Sequence, residues 1–169
     1  MTESENKKEK RSMEKKVVDL LKKRGLTVSF AESCTGGMIS ANIVNVPGSS
    51  DVFAYGFVTY SDQAKKKILA VREKTLKNAG AVSAKCAMEM AKGGLKRSGA
   101  DICLSITGFA GPGGGNDQYP VGTVFMGCCY HKKCKVREFH FEGDRNSVRK
   151  LSTEQALKFL AECIKKMGK

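Results

Sequence analysis

The chain has no tryptophan, only two histidines, three prolines and four tyrosines. Each scarcity narrows what it does. With so few large flat rings there is little for nucleic-acid bases to stack on. The basic residues fall in no recognisable nucleic-acid motif either, so a nucleic-acid partner is not expected. His131 and His140 both lie late in the chain, where exposed or edge-strand positions are the simpler account, which weighs against a Ser-His-Asp relay. No apolar run approaches the roughly 20 residues that span a bilayer, and Met1 to Lys8 lacks the apolar core of a signal peptide. The expectation is a cytoplasmic protein with no membrane partner. Acidic residues are also short, 17 against 30 Lys and Arg, a net charge of +13 that attracts anions without naming one. Seven cysteines, an odd number without a regular framework, fit reduced thiols.

What is present reads as one domain. Residues 1–12 are polar and densely charged, and are expected to be a disordered tail ahead of a single domain over 13–169. Met13 to Arg24 carries Val17, Val18, Leu20 and Leu21 with helical spacing, and Gly25 ends it. Thr27 to Ala31 reads as a strand, and Met38, Ile39, Ala41, Ile43 and Val44 as a helix after it. Phe53 to Tyr60 reads as a buried strand, with Gly56 marking a bulge or close approach. A helix from Gln63 to about Ala70, capped by Ser61 or Asp62, follows; Ser83 caps another through Leu95, closed by Gly99. Asp101 to Thr107 is apolar enough to be central in a sheet covered on both faces. Val121 to Tyr130 and Lys135 to Glu142 suggest a hairpin turning at His131 to Cys134, and Asp144 to Met167 a last amphipathic helix. Strands alternating with helices and ending in a hairpin predict an α/β fold with a mixed sheet between helical layers.

Three features carry chemistry. Ser33 sits on a tight strand-to-helix turn among free backbone N–H groups, a place that suits a helix cap, an anion or a nucleophile. Its neighbour Cys34 is a rival nucleophile, expected to be acidified at the helix N-terminus. In Lys65-Lys66-Lys67, the stripe of Ala64, Ile68 and Leu69 places Lys65 near its middle and the other two outside it. A lysine there either snorkels or, driven towards the neutral amine by burial and like charge, serves as a base. Paired with Ser33 it would give a Ser–Lys arrangement, which spacing does not establish. Gly108 to Gly115 is a glycine-rich loop after a buried strand, either a plain connection or a phosphate cradle. It does not open into a helix as a dinucleotide fingerprint does, and no Gly-Lys-Ser/Thr is present. Cys128, Cys129, His131 and Cys134 form the one metal-like cluster. Cys128 and Cys129 face opposite ways on a strand and the paired Cys-x-x-Cys spacing is absent, so no metal is expected.

Six blocks occur in order: Ala31-Glu-Ser-Cys-Thr-Gly-Gly37, Pro47-Gly-Ser-Ser50, Gly56-Phe-Val-Thr-Tyr-Ser61 with Ala64-Lys65, Gly80-Ala-Val-Ser83, Thr107-Gly-x-Ala-Gly-Pro-Gly-Gly114 and Pro120-Val-Gly-Thr123. On these the chain closely resembles the CinA C-terminal domain family, the nicotinamide-nucleotide amidases or NMN deamidases, from Met13 onward. The separate N-terminal domain of full-length CinA proteins is expected to be absent. The resemblance implies a three-layer α/β/α sandwich that forms homo-oligomers, usually dimers, and needs neither metal nor cofactor. It implies hydrolysis of the carboxamide of nicotinamide mononucleotide to nicotinate mononucleotide and ammonia, a step of pyridine nucleotide recycling. The family's nucleophile falls on Ser33, its lysine on Lys65 and its tyrosine on Tyr60. Substrate and oxyanion contacts are then expected from Glu32, Cys34, Thr35 and Gly36, with the cap role passing to Thr35. The ribose phosphate is expected at Thr107, Gly108, Gly111, Gly113 and Arg145. A domain of the same fold that binds a nucleotide or regulates competence without turnover is the alternative.

Overall fold

The computed structural model describes residues 12–167, so the expected disordered tail lies, except for Ser12, outside the described residues. Helix α1 (Met13–Arg24) buries Val17, Val18 and Leu21 and stops at Gly25, whose φ of +62° lets its amide return to the carbonyls of Leu21 and Lys22. Strand β1 (Val28–Glu32) is buried throughout. It leads into α2 (Met38–Val44), a 3₁₀ turn (Ser49–Asp51) and strand β2 (Phe53–Val58). Helix α3 (Asp62–Leu69) is capped by Ser61, whose hydroxyl accepts from the Ala64 amide. A short α4 (Glu73–Asn78), for which the sequence showed no signal, precedes α5 (Ala84–Ser98), capped by Ser83 and closed by Gly99. Strands β3 (Ile102–Gly108), β4 (Thr123–Tyr130) and β5 (Lys133–His140) and helix α6 (Arg145–Lys166), capped by Asp144, complete the domain.

The five strands form one mixed sheet in the order β2-β1-β3-β4-β5. β2, β1 and β3 are parallel, whereas β4 and β5 add antiparallel. Alternation along the strands splits the core. Val28, Phe30, Ile102, Leu104 and Ile106 face α1, α2 and α6. Ala31 and Cys103 face α3 and α5. The result is a three-layer α/β/α sandwich with a mixed sheet.

Three expectations change. β2 is not a buried strand: it pairs with β1 on one side only, and Tyr55 and Val58 are each 51% exposed. Its apolar residues mimic a central strand in sequence, but the sheet ends there. The bulge falls at Ala54, where pairing slips between Val28 and Ser29, while Gly56 is a close approach whose Cβ would lie 2.6 Å from Ser40 Oγ. The hairpin turn is also tighter than expected, only His131 and Lys132, with His131 at φ +51°. That register sets Cys129 opposite Cys134, and the two form a disulfide, so not every thiol is reduced. Cys128 and Cys129 do face opposite sides of β4, and among the described residues no cluster of His, Cys, Asp and Glu could hold a metal ion. Among those residues no helix is long and apolar enough to cross a membrane.

Candidate active site

The chain runs from β1 outward to β2 across one face and back to β3 across the other. The carboxyl ends of β1 and β3 therefore flank a switch point, where loops diverge and leave a crevice. The Ser33 turn follows β1, Tyr60 and Lys65 follow β2, and Thr107 to Ala110 end β3. These residues, with Cys34, Asp62, Ala81, Val82 and Arg145, line a cavity of about 250 Å³.

Glu32, the last residue of β1, organises the turn from beneath and does not line the cavity. Its buried carboxylate accepts from Thr35 Oγ1 at 2.6 Å, the amides of Gly37 and Ile39 at 3.1 Å each, and the Ser40 amide and hydroxyl at 2.9 and 2.8 Å. The three amides are free N–H groups at the start of α2, so the cap is Glu32 and not Thr35, and Glu32 does not line the cavity. Thr35 is itself buried, with its hydroxyl given to Glu32. The Gly36 amide is likewise engaged, donating to the Ser33 carbonyl at 3.0 Å. The Thr35 amide has no acceptor among the described residues, and the Cys34 amide is given to nothing but its own thiol.

Lys65, 1% exposed, reaches Ser33: Nζ lies 3.0 Å from Ser33 Oγ. The same nitrogen donates to the carbonyls of Thr59 and Tyr60, each at 3.0 Å, and among the described residues no carboxylate lies within hydrogen-bond reach. Burial is the main cause that pulls its pKa below the ordinary 10.5. Cys86, Asp62, Cys34 and Tyr60 oppose that shift. Burial also pushes the thiols of Cys34 and Cys86 up to about 12, which leaves both uncharged and unable to hold an ammonium. The Asp62 carboxylate is the remaining counter-charge. Cys34 is therefore not acidified as its position suggested, because desolvation outweighs the helix terminus.

Tyr60 contributes through two different atoms. Its carbonyl receives Lys65, while its phenol, on a side chain 60% exposed in all, accepts from Arg145 Nη2 at 2.9 Å. Arg145 also donates to the Gly111 carbonyl at 2.8 Å, which ties the glycine loop to α6 across the mouth of the cavity. The Thr107 hydroxyl is bound to the Ala81 carbonyl at 2.8 Å, so its role is to join two wall segments. Gly108 lines the cavity, whereas Gly36, Gly111 and Gly113 do not, and Gly113 opens onto empty space. Neither His131 nor His140 lines it. Arg149 escaped the sequence reading: it donates to the carbonyls of Cys34 and Thr35 at 3.0 and 3.1 Å. Its one signal was a position four residues after Arg145, on the same face of α6.

Fold and site together define a class: an α/β/α sandwich with a buried serine–lysine pair at the switch point of its sheet. The CinA C-terminal domain family model matches residues 10–164. A CinA-like protein from Thermotoga maritima is 53% identical over 153 residues, 90% of this chain but 37% of the relative. The chain thus spans little more than a third of the length of such curated relatives. The crystal structure of a CinA superfamily protein from Klebsiella pneumoniae 700603 superposes with a TM-score of 0.88 at 36% identity, covering 90% of this chain and 96% of that one. That of a competence/damage inducible protein from Agrobacterium tumefaciens gives 0.87 at 36% identity, covering 91% and 94%. The chain belongs to the CinA C-terminal domain family.

Proposed function

We propose that this chain is a serine amidohydrolase acting on the carboxamide of nicotinamide mononucleotide, releasing ammonia and nicotinate mononucleotide. The observation that carries this reading is the buried Lys65 amine 3.0 Å from Ser33 Oγ. A neutral amine has two N–H groups and one lone pair. With the N–H groups on the Thr59 and Tyr60 carbonyls, the lone pair is left for the Ser33 proton. Ser33 Oγ attacks the carboxamide carbon as its proton passes to Lys65, and the amides of Cys34 and Thr35 receive the oxyanion. Collapse breaks the C–N bond, and Lys65 returns the proton to the leaving nitrogen, which departs as ammonia. Water then attacks the ester, again through Lys65, and frees the carboxylate and Ser33.

Arg145 and the positive field of the chain suit the phosphate of a nucleotide. The test is ammonia release from nicotinamide mononucleotide by pure protein. Wild type should turn over, while Ser33→Ala and Lys65→Ala lose at least about a thousandfold in kcat with the fold intact. Ser33→Ala retaining activity removes the nucleophile, and wild type releasing no ammonia leaves a binding or regulatory domain of the same fold.

A further inference from the structure

Arg149 reaches neither the Ser33 hydroxyl nor the Lys65 amine by a hydrogen bond, yet it grips the segment between nucleophile and helix. Nε donates to the Cys34 carbonyl at 3.0 Å and Nη2 to the Thr35 carbonyl at 3.1 Å. No salt bridge to a carboxylate is found for it among the described residues, so its charge is directed at these two peptide units. In a trans peptide the C=O and the following N–H point in opposite directions. Holding the Thr35 carbonyl on α6 turns the Gly36 amide the other way, and that amide is found on the Ser33 carbonyl at 3.0 Å. By the same rule, holding the Cys34 carbonyl turns the Thr35 amide away from Arg149, and that amide has no acceptor. A charged donor on a carbonyl also polarises its peptide and strengthens the N–H opposite.

We propose that Arg149 is the positioning residue of the oxyanion site: from outside the cavity it fixes the Cys34–Thr35 peptide plane, which presents the unpaired Thr35 amide beside Ser33. This rests on the reading of Ser33 as a nucleophile. An oxyanion donor contributes about 10²–10³ in kcat and is sensitive to small displacements. Loss of the clamp is therefore expected to lower kcat without weakening ground-state binding.

The test uses two readouts on the whole protein, steady-state ammonia release and the rate at which a fluorophosphonate labels Ser33, followed by intact mass. For Arg149→Met, kcat and the labelling rate should each fall about 10- to 100-fold with KM within about twofold, and added guanidinium ion should restore part of both. Arg149→Lys, which keeps the charge but cannot hold two carbonyls, should lie in between, and decides the matter if the methionine variant does not fold. A folded variant labelled at the wild-type rate overturns the positioning role while leaving Ser33 in place. So does a variant whose loss lies in KM alone. If wild type is labelled but does not turn over nicotinamide mononucleotide, the substrate reading fails and labelling alone judges Arg149. If wild type Ser33 is not labelled and releases no ammonia, both readings fall together.

Discussion

Lys65 is a residue whose role depends on what its neighbours lack. Among the described residues no carboxylate accepts a hydrogen bond from it, and burial outweighs the neighbours, Asp62 among them, that favour its ammonium form. In the proposed mechanism the Lys65 lone pair takes the Ser33 proton, and protonation would occupy it. Activity should accordingly be lost as pH falls through the lowered pKa of Lys65, and a pH profile of kcat/KM should show that limb below 10.5. Asp62→Asn removes the counter-charge, so the limb should move to lower pH; a limb that stays or moves up would assign it to another group. Lys65 was legible in sequence because helical spacing alone separates it from Lys66 and Lys67. Glu32 was not. A capping box places its acid inside the helix, whereas Glu32 reaches forward from a strand to a helix beginning six residues later, a spacing with no local signature. Its five hydrogen bonds make a sharp prediction. Glu32→Gln sets an amide donor against N–H groups that need an acceptor, and should cost about 2–3 kcal/mol in denaturant unfolding.

Among the elements, α3 has the most exacting placement, since it must carry Lys65 into the β1 turn. It is held from behind by α5. A Cβ built on Gly93 would lie 1.9 Å from the Leu69 carbonyl at the end of α3, a backbone contact that cannot rotate away. Gly93→Ala therefore pushes the two helices apart, at a cost of about 1–3 kcal/mol. Because the displaced helix bears Lys65, kcat should fall by more than the loss of folded protein explains. Urea titration beside single-turnover rates separates the two effects. The α5 cap and stop, Ser83 and Gly99, were legible because they act on their own helix. The need for Gly93 was not, because the partner lies 24 residues away. β2 shows the same limit: its residues suit a pleated surface, but being last in the sheet is decided by pairing between distant segments.

For the whole molecule, sequence alternation foretold helical layers around a mixed sheet. The strand order, and with it the switch point that gathers Ser33, Lys65 and Thr107, depends on non-local pairing and became legible only in the structure. Net charge is the property of the whole chain that sequence gives directly, and its +13 acts beyond any single contact. Nicotinamide mononucleotide carries a phosphate, so the field should draw it towards the cavity and raise the encounter rate. Screening weakens that attraction: the Debye length shrinks from about 30 Å at 0.01 M salt to about 8 Å at 0.15 M. kcat/KM should fall over that range while kcat, which the proposed mechanism sets by chemistry between Ser33 and Lys65, stays nearly constant. The corresponding riboside has the same carboxamide without the phosphate, and serves as the control. If it is turned over at all, its kcat/KM should not fall with salt. A parallel fall for both would mean that salt acts on the protein and not on steering, and the charge would then have no part in selecting the substrate.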